Sequence, residues 1–289
     1  MRGNVRTWLT AGAAALAVIL GLSVAAPGGQ GRATPDRRTL RVLHYNLCGA
    51  AAVCPWNAGS SGPGTSVARL VREAVRHDPD VVTLNEICLT QYAALKEQLA
   101  RAGRPMDGTY ASSQNNVPAC GSSGRFGTAV LSREDVPDGK QWYHPFRHTG
   151  GETYTNGGRT VTVRRGLLCA DTRFAGGRLI ACTAHTYARA PEQLREIRDW
   201  TADPAAFPVD VPVVVAGDFN LPPAAPALSH LTGGFAEADE ADREPTAGTR
   251  KIDYVFADRR HFAVEDGDAE KYAESDHALL KGRFTLRTP

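Results

Sequence analysis

The chain has 289 residues, 42% of them hydrophobic, with 33 basic and 31 acidic side chains. That length and apolar content suit one large α/β or β-rich domain with a sizeable core, and 29 Gly and 18 Pro point to many loops. Without Arg2 and Arg6 the charges balance at 31 each, so no global field draws nucleic acid, and polyanion binding needs a local patch or a bound metal.

Residues 1–26 read as a secretory signal peptide: Arg2 and Arg6, an Ala-rich apolar run from Trp8 to Ala26, then small residues Ser23, Ala25 and Ala26. Residues 27–38 read as a disordered leader and 39–289 as the folded domain. Secretion then favours disulfides for the six cysteines. A zinc site is disfavoured, since there is no C-x-x-C. LLCADTRFAGGRLIAC folds as a hairpin about Ala175-Gly176, which sets Cys169 opposite Cys182. Cys48–Cys54 would close a short loop, leaving Cys88–Cys120.

In chain order, TLRVLHY (39–45) alternates as a strand ending at Asn46. Thr65 or Ser66 caps a helix with the apolar face Val67, Leu70, Val71, Ala74 and Val75, ended by Asp78-Pro79. Val81, Val82 and Leu84 form a buried strand ending at Asn85-Glu86, and Thr90 caps the next helix, which runs to Gly103. Residues 108–124 read as an exposed loop and 126–131 as a strand. Residues 136–151 read as irregular, with Trp142, Tyr143 and Phe146 as candidate surface aromatics. The hairpin strands span about 160–173 and 178–186, followed by a helix from Pro191 to Trp200.

Pro212 to Asn220, PVVVAGDFN, is a β-branched run that presents Asp218 and Asn220 before Pro222-Pro223 stops the strand. Two oxygen-bearing groups at the rim of a rigid sheet suit hard cations and phosphate esters, although both residue types are also ordinary turn formers. A long connection over 222–249 leads to a strand at 251–256 and a last one at 277–286. Asp253 lies between Ile252 and Tyr254 in an apolar strand, where a carboxylate needs a partner such as a His or a metal.

Strand ends thus carry Asn46, Glu86, His185, Asp218, Asn220, Asp253, Asp276 and His277. With VLHYN, VVTLNE, FGTAVLSR, CTAHT, VVVAGDFN, KIDYVF and SDH in this order, the sequence resembles the endonuclease/exonuclease/phosphatase superfamily, the DNase I-like phosphoesterases. It departs from the family in Asn85, where Gln is usual, and in His44-Tyr45 before Asn46. Those changes bear on substrate choice.

The resemblance implies a four-layer α/β/β/α sandwich with the site along one edge. It implies Mg²⁺, or Mn²⁺ or Ca²⁺, on Glu86 with Asn46 and Asp276, and His277 as general base held by Asp253. Asp218 is a second candidate for orienting water, Asn220 and His185 would donate to the phosphate or leaving oxygen, and either Arg165 or Arg164 would face the phosphate. The expected activity is a secreted, monomeric nuclease acting on DNA or RNA, with no obligate protein partner. A sphingomyelinase or phospholipase C-like enzyme, or another small-phosphoester hydrolase, and a catalytically silent binding module are the alternatives. A serine hydrolase is excluded, because Gly121-Ser-Ser-Gly124 is no G-x-S-x-G elbow.

Overall fold

The computed structural model describes residues 38–287, so the assigned signal peptide and all of the leader but Arg38 lie outside the described residues. The first half of the chain supplies β1 (Thr39–Asn46), α1 (Ser66–His77), β2 (Val81–Cys88), α2 (Leu89–Arg101), β3 (Asp107–Gln114), β4 (Phe126–Ser132), β5 (Gln141–Pro145), and the ribbon β6 (Thr153–Asn156) and β7 (Arg159–Thr162). The second half supplies β8 (Gly166–Phe174), β9 (Gly177–His185), α3 (Glu192–Thr201), β10 (Val213–Asp218), α4 (Ser229–Thr232), β11 (Phe235–Glu237), β12 (Asp253–Asp258), β13 (Phe262–Glu270) and β14 (Leu279–Leu286).

Two six-stranded sheets result, ordered β13-β14-β1-β2-β4-β3 and β11-β12-β10-β9-β8-β5, with β6-β7 apart. Period-2 alternation sorts each strand's side chains into two of three cores. Leu40, Val42, Val81, Val214, Ala216 and Val255 meet between the sheets. Leu43, Tyr45, Val82 and Leu84 pack under α1 and α2, while Val213, Val215, Tyr254 and Phe256 pack under α3 and α4. The four-layer α/β/β/α sandwich follows directly.

Along the strands the inter-sheet layer changes character. β1 runs parallel to β2, and β9 parallel to β10, so four C-terminal ends point the same way. There the inward positions stop being apolar and become His44, Asn46, Thr83, Asn85, His185 and Asp218. Gly217 permits the close pairing that sets this register, since a Cβ there would lie 1.9 Å from the Ala184 carbonyl oxygen.

Several expectations need correction. Val75 is 41% exposed, because the buried face of α1 turns to Ser66, Val67, Leu70, Glu73 and Ala74. Cys88, not Thr90, occupies the N-cap of α2, and the Gln91 side chain bonds back to its amide. The loop expected over 108–124 contains edge strand β3, whose polar sequence hides its pairing with β4. The irregular 136–151 stretch contains β5, and its aromatics turn inward: Phe146 stacks on Trp200 and Trp142 packs edge-on against Phe207. The first hairpin strand begins only at Gly166, and β13 has no counterpart in the sequence reading. Among the described residues no helix is long and apolar enough to cross a membrane.

Candidate active site

Asp218 is the hub. It ends β10, faces inward and is 2% exposed. Its Oδ2 accepts from Asn46 Nδ2 at 3.2 Å, and its Oδ1 accepts from the Asn220 backbone N–H at 2.9 Å. The second sheet reaches it through β12, where Asp253 pairs with Asp218 in register. The first sheet reaches it through Asn85, whose Oδ1 accepts from the Asp218 amide at 2.8 Å while its Nδ2 donates to Thr128 and Thr183. Asn85, a departure from the family's usual residue, therefore staples the two sheets beneath the site.

His277 follows the Ser275 turn, and its backbone N–H donates to Ser275 Oγ, which donates to the Asn46 carbonyl. Its Nδ1 lies 2.8 Å from Asp253 Oδ2, and its Nε2 points toward Asp218 Oδ2 at 3.8 Å. On the other side His185 Nε2 stands 3.5 Å from the same Asp218 oxygen. Two imidazoles thus flank one carboxylate across the mouth.

Glu86 arrives by a distortion. The β2–β4 register slips between Leu84 and Ile87, and Glu86 adopts φ 53°. The extra residue keeps Leu84 and Ile87 under the helices while Glu86 turns to the site side. Asn220 (φ 54°) and Cys48 (φ 51°) share this left-handed conformation, which costs on the order of 1–2 kcal/mol at a residue with a Cβ. Cys48 is bridged to Cys54 and Cys88 to Cys120, so a disulfide lies two residues beyond Asn46 and another two beyond Glu86. The third bridge, Cys169–Cys182, joins directly paired residues of β8 and β9. Three disulfides are consistent with an oxidising compartment, where such bridges persist.

Arg165 lies just before β8 and is clamped by Glu152 through two nitrogens, with Nη2 to Oε1 at 2.7 Å. Its guanidinium lies 6.0 Å from the Tyr187 ring centroid. Arg164, its neighbour, is exposed. Glu152 carried no signal in the sequence, being one acid in a Gly-rich loop. Asp276 is exposed, and its field is felt at Glu86.

The electrostatics follow from crowding. Burial raises Glu86 above the usual carboxylate range, against the pull of Arg165, His277 and Asn46. Burial and the neighbouring Asp253 raise Asp218. Burial opposes the His277 cation, but Asp253, Asp218 and Asp276 outweigh it and push its proton affinity up. His185 goes the other way: burial, then Arg165 and His277, hold it neutral and well below the ordinary histidine range. Burial also works against the charge of Arg165, but Glu152, Glu86 and Asp218 more than offset it.

Glu86, Asp218, Asp253 and Asp276 therefore share one edge, and the arginine whose field reaches Glu86 and Asp218, Arg165, is already bound to Glu152. Oxygen donors with surplus negative charge fit a hard divalent cation. Asp218, Asp253 and His277 also bring ligand atoms within 4.8 Å of one another. The Cys48, Cys54 and Asp276 grouping does not qualify, because both sulfurs are in a disulfide.

This sandwich is that of the phosphoester hydrolases with a DNase I-like fold. A model of the Endonuclease/Exonuclease/phosphatase family matches residues 43–277, and the chain belongs to that family, whose enzymes work with divalent metal ions. No curated protein sequence matches significantly. Among solved structures, an endonuclease/exonuclease/phosphatase from Beutenbergia cavernae is 26% identical, with a TM-score of 0.62 over 86% of this chain and 72% of that one. D. rerio TDP2 complexed with single-strand DNA product is 17% identical, with a TM-score of 0.57 over 86% and 99%. The mannosyl-6-phosphatase of Bacteroides thetaiotaomicron is 17% identical, with a TM-score of 0.63 over 86% and 100%.

Proposed function

We propose that the chain is a secreted, metal-dependent nuclease that hydrolyses phosphodiester bonds of DNA or RNA as a monomer. Glu86, with Asn46 and Asp276, would hold Mg²⁺, or Mn²⁺ or Ca²⁺ in its place. Bound there, the cation supplies positive charge to a phosphoryl oxygen and counters the carboxylates that raise the proton affinity of His277. His277 Nε2 takes the proton of the attacking water. Asp253, bonded to Nδ1, fixes the ring and stabilises the imidazolium that forms. Asp218 accepts the other water hydrogen and orients its lone pair. Neutral His185 donates to a phosphate or leaving oxygen. The Asn220 amide gives one hydrogen to the Thr186 carbonyl at 3.0 Å and keeps the other for the phosphate. Arg165, bound to Glu152 through Nε and Nη2, keeps Nη1 for the same anion.

The observation that carries the hydrolytic reading is the 2.8 Å His277–Asp253 pair set in a carboxylate-rich mouth. The nucleic-acid substrate is supported by a set of arginines. Arg147, Arg159, Arg164, Arg189 and Arg195 are all exposed and have no carboxylate partner among the described residues. Three of them stand near Arg165: Arg164 precedes it in the chain, and Gln193 ties the His148 carbonyl to the Tyr187 amide, beside Arg147 and Arg189, with the Tyr187 ring facing Arg165. This local patch suits a polyanion despite the neutral total. Supercoiled plasmid, RNA and sphingomyelin vesicles, each with Mg²⁺, with EDTA and with His277→Ala, test the reading. Metal-dependent nicking of plasmid or cleavage of RNA, lost in the variant, is the expected result.

One observation favours the lipid alternative. Trp142 and Phe146 pack inward, but Val53 (64% exposed) and Trp56 (48% exposed) stand on an uncharged loop beside Asp276. Hydrolysis of sphingomyelin alone, reduced in Trp56→Ala, would replace the nuclease with a lipid phosphodiesterase.

A further inference from the structure

Asp253 has a second imidazole behind it. His44 lies on β1, inward-facing, two residues before Asn46 and fully buried. Its Nε2 faces Asp253 Oδ1 at 3.4 Å. Both atoms are buried, and among the described residues neither makes a hydrogen bond of good geometry, so this 3.4 Å approach is the contact each has. Two complementary polar atoms, each the other's only available partner, form an interaction even at this length, because leaving either one bare in the core is costly. On the far side, His44 Nδ1 lies 3.0 Å from Thr83 Oγ1 on β2.

We propose that His44 and Thr83 extend the His277–Asp253 pair into a four-group relay in which His44 is a positioning residue for the reaction. Thr83 Oγ–H donates to His44 Nδ1, His44 Nε2–H donates to Asp253 Oδ1, and Asp253 Oδ2 accepts from His277 Nδ1–H. The tautomer follows from the partners. The Thr83 hydroxyl has a second acceptor, the Leu43 carbonyl, but at 3.3 Å. If it donated there, Nδ1 of neutral His44 would carry the proton and an Nε2 lone pair would face a buried carboxylate. Donation to Nδ1 removes that repulsion. Burial works against the Asp253 charge, but His277 and then His44 hold this carboxylate ionised.

The consequence is mechanical. A carboxylate held at one oxygen can rotate about its Cβ–Cγ bond, and the His277 ring turns with it. Held at both oxygens, Asp253 keeps His277 Nε2 aimed at the position of the attacking water. His44 belongs to the His44-Tyr45 pair that departs from the residues usual before Asn46 in the family. It touches no substrate and acts on turnover, not on binding.

The inference rests on His277 being the base, and the experiment separates the two. Turnover of bis(p-nitrophenyl) phosphate with Mg²⁺ is measured for His277→Ala, His44→Ala, His44→Gln, Thr83→Val, Thr83→Ser and Asp253→Asn, and for His44→Ala in the Asp253→Asn background. His44→Ala is expected to lower kcat by about tenfold or more with KM unchanged, and Thr83→Val by less. His44→Gln, which keeps a donor near the Nε2 position, and Thr83→Ser recover most of the loss. His44→Ala adds nothing once Asp253 is Asn. Imidazole ¹⁵N spectra of the unliganded protein give an activity-independent reading: His44 protonated on Nε2, with Nδ1–H appearing in Thr83→Val. Inactive His277→Ala beside His44→Gln, His44→Ala and Thr83→Val at wild-type kcat overturns the relay alone. Wild-type rates in His277→Ala overturn the base assignment beneath it. A proton on Nδ1 of His44 in the wild type overturns the relay whatever the rates. If His44→Ala does not fold, Thr83→Val against Thr83→Ser carries the kinetic test, with the imidazole ¹⁵N spectra beside it.

Discussion

Two clusters of ionisable groups sit on the first sheet and obey opposite rules. On its outer side, where α1 meets β13, β14 and the 274 segment, Glu73, Asp268, Glu270 and Glu274 are matched by Arg69, Arg72, Arg76 and Lys281. Each carboxylate there has at least one cation within ion-pair distance, and Tyr272 OH donates to Glu270 as well. Burial is the largest single influence on Glu270 and raises its pKa, but bonds from Lys281 and Tyr272 and the charges of Lys281 and Arg76 together bring it down to about 2. At the inner edge Glu86, Asp218, Asp253 and Asp276 have surplus charge, and the buried Glu86 and Asp218 move the other way, upward. Matched charge holds the fold together. Unmatched charge, kept in place by disulfides, a bulge and cross-sheet hydrogen bonds, costs stability and leaves a cation-binding edge.

That contrast can be broken in several ways. Removing the unmatched site's base comes first. His277→Ala should lower kcat by about 10³-fold or more and also lower the melting temperature, since it leaves Asp253 buried without its partner, as read by single-turnover kinetics and calorimetry. Because the carboxylates raise His277 and only its neutral form accepts a proton, the wild-type rate should climb with pH through neutrality. A flat profile would remove His277 from the base role.

A divalent cation comes second. Mg²⁺ at a hundred times its dissociation constant should stabilise the folded protein by about 2.7 kcal/mol, and EDTA should abolish both the shift and the activity. Glu86→Gln should need far more cation for the same shift. An equal response in both proteins would move the metal elsewhere.

Third, the same chemical change should have opposite signs in the two clusters. Without metal, Asp218→Asn should stabilise by about 1 kcal/mol, since it removes a charge that burial and then Asp253 disfavour. Glu270→Gln should destabilise by about 1 kcal/mol at pH 7, since it strips a networked partner from Lys281 and Arg76. Because the folded Glu270 pKa lies below its ordinary value, its contribution is present above about pH 4.5 and lost as pH falls toward 2. The wild-type and Glu270→Gln stabilities should therefore converge in acid. Denaturant titrations across that range read both signs, and a common sign in the two clusters ends the distinction.

The smallest effect is Arg72→Ala. Arg72 is half exposed and pairs with Glu274, which Arg69 also holds, so the loss should be at most about 0.5 kcal/mol by the same titration.

Sequence alone determined the chemistry and its approximate address. Strand alternation and apolar runs located β1, β2, β9, β10 and β12, and the polar residues ending them, Asn46, Glu86, His185, Asp218 and Asp253, do meet at one edge of the sandwich. The cysteine pairs were legible because two follow short separations and the third remained. Strands β3 and β13 were not legible. They are edge strands with mostly polar sequences, so their pairing partners, not their own composition, make them strands. Tertiary structure alone decided that a bulge turns Glu86 to the site, that Glu152 clamps Arg165, and that His44 stands behind Asp253. Each of these depends on contact between residues 13 (Glu152 and Arg165) or 209 (His44 and Asp253) positions apart, or on a register slip against a partner strand. A one-dimensional pattern can name the face on which a side chain lies, but not the atom that it will meet there.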